Sequence, residues 1–179
     1  NFIALEGDRA VIGRYLGEEA LGLYGRAYGL MAMSVKAFGA VLDKVMFSAM
    51  SLKQAEPAKL KLGYTRGLSL VALTLLPTSL VSIVLAPEIV GVLLGPKWDG
   101  AIVPFQLLAV GMVFRVSYKL SAALAKATGN VYRLPPRQGL YALLVVAGTY
   151  VGGTWHGVSG AAAGVTLALF VHSLVMGGL

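Results

Sequence analysis

Long runs of apolar residues constrain this chain more than any other feature of its sequence. Leu68–Ala86 contains no charged residue, and Gly139–Trp155 and Gly157–Leu179 are nearly as apolar. A helix of about 20 apolar residues crosses the roughly 30 Å hydrocarbon core of a bilayer. Several such runs in a chain of 179 residues therefore predict an all-α, multi-pass transmembrane helical bundle rather than a soluble domain.

The composition supports a membrane protein and narrows the chemistry that the chain can carry. Only 13% of the residues are charged, whereas soluble domains carry about 25%. Cysteine is absent, and the two histidines, His156 and His172, lie far apart in the sequence. No phosphate-binding loop, zinc-protease motif or serine-hydrolase motif is present. We therefore expect no enzymatic activity, no cofactor and no metal site.

The apolar pattern predicts one truncated span followed by five complete ones. Leu16–Leu23 is predicted as a short polar connection, and Ser51–Gly67 as a basic loop with a short amphipathic helix at the membrane interface. Because the chain begins and ends inside apolar runs, we expect an internal fragment of a longer membrane protein, with 1–179 forming one membrane domain. The predicted spans are 1–15 (truncated), 24–50, 68–86, 101–125, 139–155 and 157–179.

The basic residues predict the orientation of these spans. The net charge is +7, but the Lys and Arg residues flank apolar runs, which favours topology signals over nucleic-acid binding. Loops 51–67 and 126–138 are rich in Lys and Arg and fall on the same side of the membrane. The opposite connections hold Arg14, Arg26 and Lys97 beside acidic residues. By the positive-inside rule, loops 51–67 and 126–138 are predicted to be cytoplasmic.

A few charges lie inside the predicted spans, where each costs about 2.5–3.5 kcal/mol on insertion scales. Arg115 and Lys119 are four residues apart, so they share one helix face. They are candidates for a cationic path that an anionic group follows, and Lys36 is a third. Lys36 and Asp43 also share a face, and a buried pair between them is the alternative interpretation of Lys36.

Glycine spacing predicts where helices approach closely. Gly25–Gly29, Gly148–Gly152 and Gly160–Gly164 each match G-x-x-x-G. In membranes this spacing lets two helix backbones come into contact. Each of the three motifs is therefore a candidate helix–helix contact.

The segment Asp8–Tyr28 (DRAVIGRYLGEEALGLYGRAY) carries a family resemblance. It resembles the signature of polysaccharide transporters, the lipid-linked oligosaccharide flippases of the MOP (multidrug/oligosaccharidyl-lipid/polysaccharide) exporter superfamily. Leu85–Ala109 also resembles the segment that lies between two spans in that family. The matching signature residues are Asp8, Ile12, Gly13, Leu16, Gly17, Leu21, Gly22 and Tyr24.

The resemblance implies most of the second lobe of a two-lobed transporter that works by alternating access. Family members move undecaprenyl-diphosphate-linked oligosaccharide units across the bacterial inner membrane, for exopolysaccharide, O-antigen or capsule synthesis. The implied partners are that anionic lipid, membrane lipids, and a polysaccharide polymerase or other assembly proteins. An ion-coupled small-molecule exporter and a non-transporting scaffold subunit of a polysaccharide synthesis complex are the alternatives.

Overall fold

The computed structural model of the protein describes residues 2–51, 57–127 and 134–177, with side chains for residues 6–36, 65–119, 121 and 135–176. Throughout these ranges every regular element is helical, which confirms the all-α prediction. The elements are α1 (Phe2–Tyr15), α2 (Gly17–Ser51), α3 (Pro57–Val84), α4 (Ala86–Leu93), a 3₁₀ helix (Pro96–Ala101), α5 (Ile102–Ala127) and α6 (Leu134–Gly177).

The helices form a bundle in which α5 packs against α2, α3 and α6, while α1 packs against α2 and α6. The largest wholly buried side chains lie where these helices meet, and they include Ile12, Tyr24, Phe105, Leu108, Met112 and Leu169. Among the described residues, 3 helices are long and apolar enough to cross a membrane, in the segments Thr65–Val84, Pro96–Lys119 and Pro135–Met176. The multi-pass prediction is confirmed in these segments.

Two helix hairpins turn at glycines with positive φ, a conformation that a residue without a Cβ adopts at little cost. The α1–α2 hairpin turns at Leu16 and Gly17, where Gly17 has φ 89°. Within α6 the helix breaks at His156 and Gly157, where Gly157 has φ 58° and ψ −138°. We name the parts of α6 before and after this break α6a and α6b. The break coincides with the predicted turn between 139–155 and 157–179.

The prediction of a polar connection at Leu16–Leu23 is wrong, because α2 already begins at Gly17. Glu18 and Glu19 occupy the first turn of α2, where the positive end of the helix dipole stabilises negative charge. The polar residues that suggested a loop therefore form the first turn of a helix. Arg26, which was counted with the charges of the opposite connections, lies well inside α2.

The start of α3 also differs from the prediction. Ser51–Gly67 is predicted as a basic loop with a short amphipathic interfacial helix, but from Pro57 onward it continues without a break into the apolar part of α3. Residues 52–56 of the predicted loop lie outside the described residues. Proline at the first helical position has no N–H to leave unpaired, and its fixed φ suits a helix start. Helix α3 also runs through Pro77.

Two of the three glycine motifs form the contact within the α6 hairpin. A Cβ on Gly148 would lie 2.9 Å from the carbonyl oxygen of Gly164, and a Cβ on Gly152 would overlap the carbonyl oxygen of Gly160. The backbones of α6a and α6b therefore touch at two levels. By contrast, a Cβ on Gly25 or Gly29 would meet nothing within 4 Å in the part of the chain that the structure describes.

Candidate functional site

Arg115 lies half-buried on α5, against an aromatic ring of α2. Its guanidinium carbon is 5.0 Å from the centroid of the Tyr28 ring, which is the geometry of a cation–π contact. Tyr118 and Tyr141 also interact electrostatically with this guanidinium. No carboxylate among the described side chains lies within ion-pairing distance of Arg115. The guanidinium is thus stabilised by aromatic groups and keeps its positive charge uncompensated among those side chains.

Arg9 reaches the same ring from α1. Its guanidinium carbon is also 5.0 Å from the Tyr28 centroid, so Tyr28 joins arginines from two different helices. Arg9 additionally donates through Nη1 to the Glu6 carboxylate, at 3.0 Å and 3.3 Å from its two oxygens. Arg9 therefore differs from Arg115 in having a neighbouring counterion.

A third arginine stands on the exposed face of α2. The Arg26 guanidinium carbon is 5.0 Å from the Trp98 ring centroid, and Trp98 belongs to the 3₁₀ helix that precedes α5. Gly22 lies beside the same indole, since a Cβ there would be 3.8 Å from it. The small residue at Gly22 leaves room for the indole to pack close to α2.

Between α1 and α2 an open groove of about 450 Å³ is lined by Arg9, Leu21, Gly22, Gly25 and Arg26. The face of α2 that borders this groove continues at helical spacing through Gly29 and Met33 to Lys36. It is exposed at Arg26, Met33 and Lys36. A glycine-lined, cationic face therefore runs along α2.

Arg26 and Tyr28 lie in the first half of α2 (Gly17–Ser51). At about 1.5 Å per residue, Arg26 is about 14 Å and Tyr28 about 17 Å along α2 from Gly17. Lys36 is about 29 Å from Gly17 on the same scale.

A buried hydrogen bond ties α1 to α2 behind the groove. The Tyr24 hydroxyl donates to the Asp8 carboxylate at 2.6 Å, and the side chains are 0% and 4% exposed. The backbone N–H of Arg9 also donates to Asp8, at 2.9 Å. Asp8 is thus satisfied by donors from both helices, and the bond sets the position from which Arg9 extends.

An aromatic cluster lies next to Arg115 between α5 and α6. His172 stacks on Tyr141 at 4.5 Å between ring centroids and meets Tyr118 edge-on at 4.9 Å. His172 is 2% exposed, so its ring packs within the bundle. Tyr118 connects this cluster to Arg115, because it contacts His172 and also interacts electrostatically with the Arg115 guanidinium.

The structure separates the residues that were predicted as one path. Arg115 lies against Tyr28, whereas Lys119 is exposed one turn further along α5 and Lys36 is exposed on α2. Asp43 lies on α2, but its side chain is outside those that the structure describes, so the Lys36–Asp43 pair stays a prediction. The path through Arg115, Lys119 and Lys36 likewise stays a prediction.

Two arginines of this site, Arg9 and Arg26, were missed by the sequence analysis. The predicted span 24–50 contains Arg26, but Arg26 was counted among the basic residues of the opposite connections and not considered as a site residue. Its spacing of four residues from Gly22 and three from Gly29 was the available signal, since it places Arg26 on the glycine face of one continuous helix. Arg9 had no comparable signal, because its contact with Tyr28 depends on the packing of α1 against α2.

The comparison with protein families decides the identity. A family model described as "Polysaccharide biosynthesis protein" matches residues 1–103, which is more than half of the 179-residue chain. The chain belongs to the polysaccharide biosynthesis protein family. This match confirms the resemblance to the polysaccharide transporter family that Asp8–Tyr28 carries. Family membership, together with the long apolar helices, identifies a membrane protein.

Three relatives illustrate the family. The chain is 25% identical over 123 residues to the teichuronic acid biosynthesis protein TuaB of Bacillus subtilis (strain 168), covering 69% of the chain and 26% of that protein. It is 29% identical over 132 residues to the amylovoran biosynthesis protein AmsL of Erwinia amylovora, covering 73% and 34%. It is 23% identical over 175 residues to the lipopolysaccharide biosynthesis protein WzxC of Escherichia coli (strain K12), covering 98% and 36%.

The chain thus spans between about a quarter and about a third of the length of these polysaccharide biosynthesis proteins. No solved structure matches it. The described residues contain no group of three or more His, Cys, Asp or Glu side chains that could hold a metal ion. The chemistry of the candidate site is that of cations and aromatic rings.

Proposed function

We propose that this protein translocates undecaprenyl-diphosphate-linked oligosaccharide units across the bacterial inner membrane by alternating access. The product would serve exopolysaccharide, O-antigen or capsule synthesis. The related proteins from three bacteria are named for the biosynthesis of teichuronic acid, amylovoran and lipopolysaccharide, which supports an extracellular polysaccharide as the end product. The proposed role is transport rather than catalysis.

One observation carries the proposal, namely the Arg115 guanidinium on the Tyr28 ring, within a helical segment that is long and apolar enough to cross a membrane. A membrane-embedded cation is costly and marks a path or binding site for an anion in many membrane proteins. An aromatic partner stabilises the cation without neutralising it. A diphosphate is the anionic group that a polyprenyl-linked sugar carries, and Arg matches phosphate oxygens through two parallel hydrogen bonds.

The proposed orientation places loops 51–67 and 126–138 in the cytoplasm, following the positive-inside rule. Lys36 and Lys119 then lie toward the cytoplasmic end, where an anionic head would first meet the protein. Arg115 then lies about one helical turn, or about 6 Å, deeper than Lys119. The proposed partners are the lipid-linked oligosaccharide, the surrounding lipids, and a polymerase or another assembly protein that receives the product.

Translocation in inside-out vesicles containing the full-length protein tests this proposal. The substrate is a radiolabelled undecaprenyl-diphosphate-linked oligosaccharide, and its protection from an added glycosidase measures transport. Arg115→Gln should lower the initial rate about tenfold or more, because one charge-assisted interaction is worth about 1.5–3 kcal/mol and 1.4 kcal/mol is tenfold. Arg115→Lys should retain part of the rate, since it keeps the charge but loses the planar guanidinium.

Arg14→Gln is the matched control, because Arg14 is an exposed arginine in the last turn of α1. Its rate should equal that of the unmodified protein at equal protein level. Unchanged transport by Arg115→Gln would refute the cationic path. Absence of transport by the unmodified protein, together with a need for its presence in polysaccharide assembly, would favour the scaffold. Efflux of a small cationic dye would favour the exporter.

A further inference from the structure

A buried guanidinium nitrogen near the start of α6a has no hydrogen-bond partner in the described part of the chain. Arg137 is the fourth residue of α6 (Leu134–Gly177), and its side chain is partly buried. Two buried side-chain atoms of the described residues lack a partner, Arg137 Nη1 and Thr149 Oγ1, and only the first belongs to a charged group. A charged donor that is buried without an acceptor is costly, so a native structure that keeps one has a reason for it.

The surroundings of Arg137 are aromatic and cationic rather than acidic. Tyr141 follows it by one helical turn on α6a and stacks on His172 of α6b. The Arg137 guanidinium interacts electrostatically with His172, so it lies where the beginning of α6a meets the end of α6b. No described carboxylate lies within ion-pairing distance of it. The positive charge is therefore not balanced by any of the described side chains.

The position of Arg137 along α6 corresponds to the edge of a membrane rather than to its interior. It lies two residues after the beginning of the apolar segment Pro135–Met176, which is long enough to cross a bilayer. Leu140 and Leu144 follow on the same helix face at spacings of three and seven residues, and both are at least partly exposed. This face of α6a thus places a cation at headgroup level and apolar side chains at the level of acyl chains.

These features match the chemistry of an anionic phospholipid. Its phosphate oxygens accept hydrogen bonds from a guanidinium, and its acyl chains lie beside the apolar face below. Basic pockets between membrane helices on the cytoplasmic side bind anionic lipids. Segment 126–138 contains Lys126, Arg133 and Arg137 and no acidic residue, which adds to the attraction for an anion. A soluble anion would gain nothing from the exposed leucines.

We propose that Arg137 binds the phosphate of an anionic phospholipid that stays bound to the protein and is not the transported lipid. Its Nη1 donates to a phosphate oxygen, and Tyr141 and His172 are positioning residues that hold the guanidinium at the mouth of the α6 hairpin. The lipid supplies the acceptor that the described side chains lack and stabilises the contact between α6a and α6b at this end. Only the assignment to the cytoplasmic leaflet rests on the orientation given under the proposed function.

Thermal unfolding of the full-length protein in neutral detergent micelles tests this site. A ligand that binds only the folded state raises the apparent Tm as its concentration rises, and the dependence gives Kd. Phosphatidylglycerol should raise the Tm, whereas phosphatidylcholine at the same mole fraction should not. Arg137→Gln should raise the Kd for phosphatidylglycerol about tenfold, the usual effect of losing one charge-assisted contact. Arg137→Lys should raise it less, because the charge is kept.

The same variant has an opposite expected effect when no anionic lipid is present. Without a ligand, the Arg137 guanidinium is a buried charge without an acceptor, and Arg137→Gln removes that charge. The Tm of Arg137→Gln in neutral micelles should therefore equal or exceed that of the unmodified protein. The order of the two proteins should reverse as phosphatidylglycerol is added, and a variant that merely folds poorly does not show this reversal.

Arg66→Gln is the matched control. Arg66 is an exposed arginine on α3, in the segment 51–67 that is predicted to lie on the same side of the membrane. Because it is fully hydrated and not enclosed by a helix pair, its loss should leave the Kd for phosphatidylglycerol within about twofold of the unmodified value. Inorganic phosphate and undecaprenyl diphosphate are added separately to distinguish a free anion and the transported lipid from a phospholipid.

Three results would overturn the proposal. Equal stabilisation by inorganic phosphate would make Arg137 a site for a free anion. Stronger competition by undecaprenyl diphosphate than by phosphatidylglycerol would assign Arg137 to the transported lipid. An equal loss of Tm in Arg137→Gln with and without phosphatidylglycerol would show that the guanidinium has a partner within the protein. None of these measurements requires transport, so a failure of the translocation proposal leaves this one standing, and the reverse also holds.

Discussion

The α1–α2 hairpin and the α6 hairpin are both antiparallel helix pairs that turn at a glycine with positive φ, but they are held together differently. In the α6 hairpin, Gly148 and Gly152 lie directly against Gly164 and Gly160, and the backbones touch. The α1–α2 hairpin is joined by the Asp8–Tyr24 hydrogen bond. Its glycines at 25 and 29 face open space instead of the partner helix.

This difference shows that G-x-x-x-G has two structural uses in one chain. Without a hydrophobic driving force between helices in lipid, close van der Waals packing stabilises the α6 hairpin. In α2 the same spacing removes side chains from a face that carries Arg26 and Lys36. Small residues therefore close one hairpin and keep a cationic groove open in the other.

Of the substitutions that test this difference between the hairpins, Gly152→Ala is expected to change stability the most. The added Cβ would overlap the carbonyl oxygen of Gly160, which is backbone and cannot rotate away. Overpacking of this kind costs about 3 kcal/mol, so the hairpin should separate or unfold. Equilibrium unfolding of the protein in mixed detergent micelles measures the loss of stability.

Gly139→Ala is the matched control for this substitution. Gly139 lies on α6a as well, but a Cβ there would meet nothing within 4 Å. The control should leave the unfolding free energy unchanged or slightly increased. Equal stability of Gly152→Ala and the unmodified protein would show that the two halves of α6 are not in backbone contact.

The helices and the turn in α6 were predictable from the sequence, because apolar runs in a membrane must form helices to satisfy their backbone polar groups. The break at His156–Gly157 follows from the two apolar runs on either side of it. The start of α2 was not predicted, since Glu18 and Glu19 resemble a loop in polarity although they suit a helix N-terminus.

The site was only partly predictable for a related reason. Arg115 is identifiable because it interrupts an apolar run. The groove depends on the register of α1 against α2, which brings Arg9 onto Tyr28 across the hairpin. Sequence spacing also does not distinguish the glycines of α2 that face open space from the glycines of α6 that contact another helix backbone.

Tyr24→Phe should have an intermediate effect, on the polar contact that joins α1 and α2. It removes the hydroxyl that donates to the buried Asp8 carboxylate at 2.6 Å. A hydrogen bond to a charged group contributes about 1.5–3 kcal/mol, and an unsatisfied buried acceptor adds to the loss. We expect unfolding in the same micelles to become easier by about 2 kcal/mol.

A double-mutant cycle with Asp8→Asn isolates this contact, since coupled residues show non-additive effects. Tyr15→Phe serves as the control, because Tyr15 is 64% exposed at the end of α1, the helix that carries Asp8, and it should change stability little. Strictly additive effects of Tyr24→Phe and Asp8→Asn would show that the hydrogen bond does not hold the hairpin together.

The smallest effect is expected from Gly25→Ala, and its sign is opposite to that of Gly152→Ala. A Cβ on Gly25 would meet nothing within 4 Å, and alanine is favoured over glycine in a helix by about 0.8–1.0 kcal/mol. Stability in micelles should therefore rise by up to about 1 kcal/mol. A fall in stability would mean that another part of the protein covers this face of α2, and the groove would then be an internal contact rather than an open surface. The two glycine substitutions together thus test whether the G-x-x-x-G spacing brings two helix backbones into contact in α6 and leaves a face of α2 uncovered.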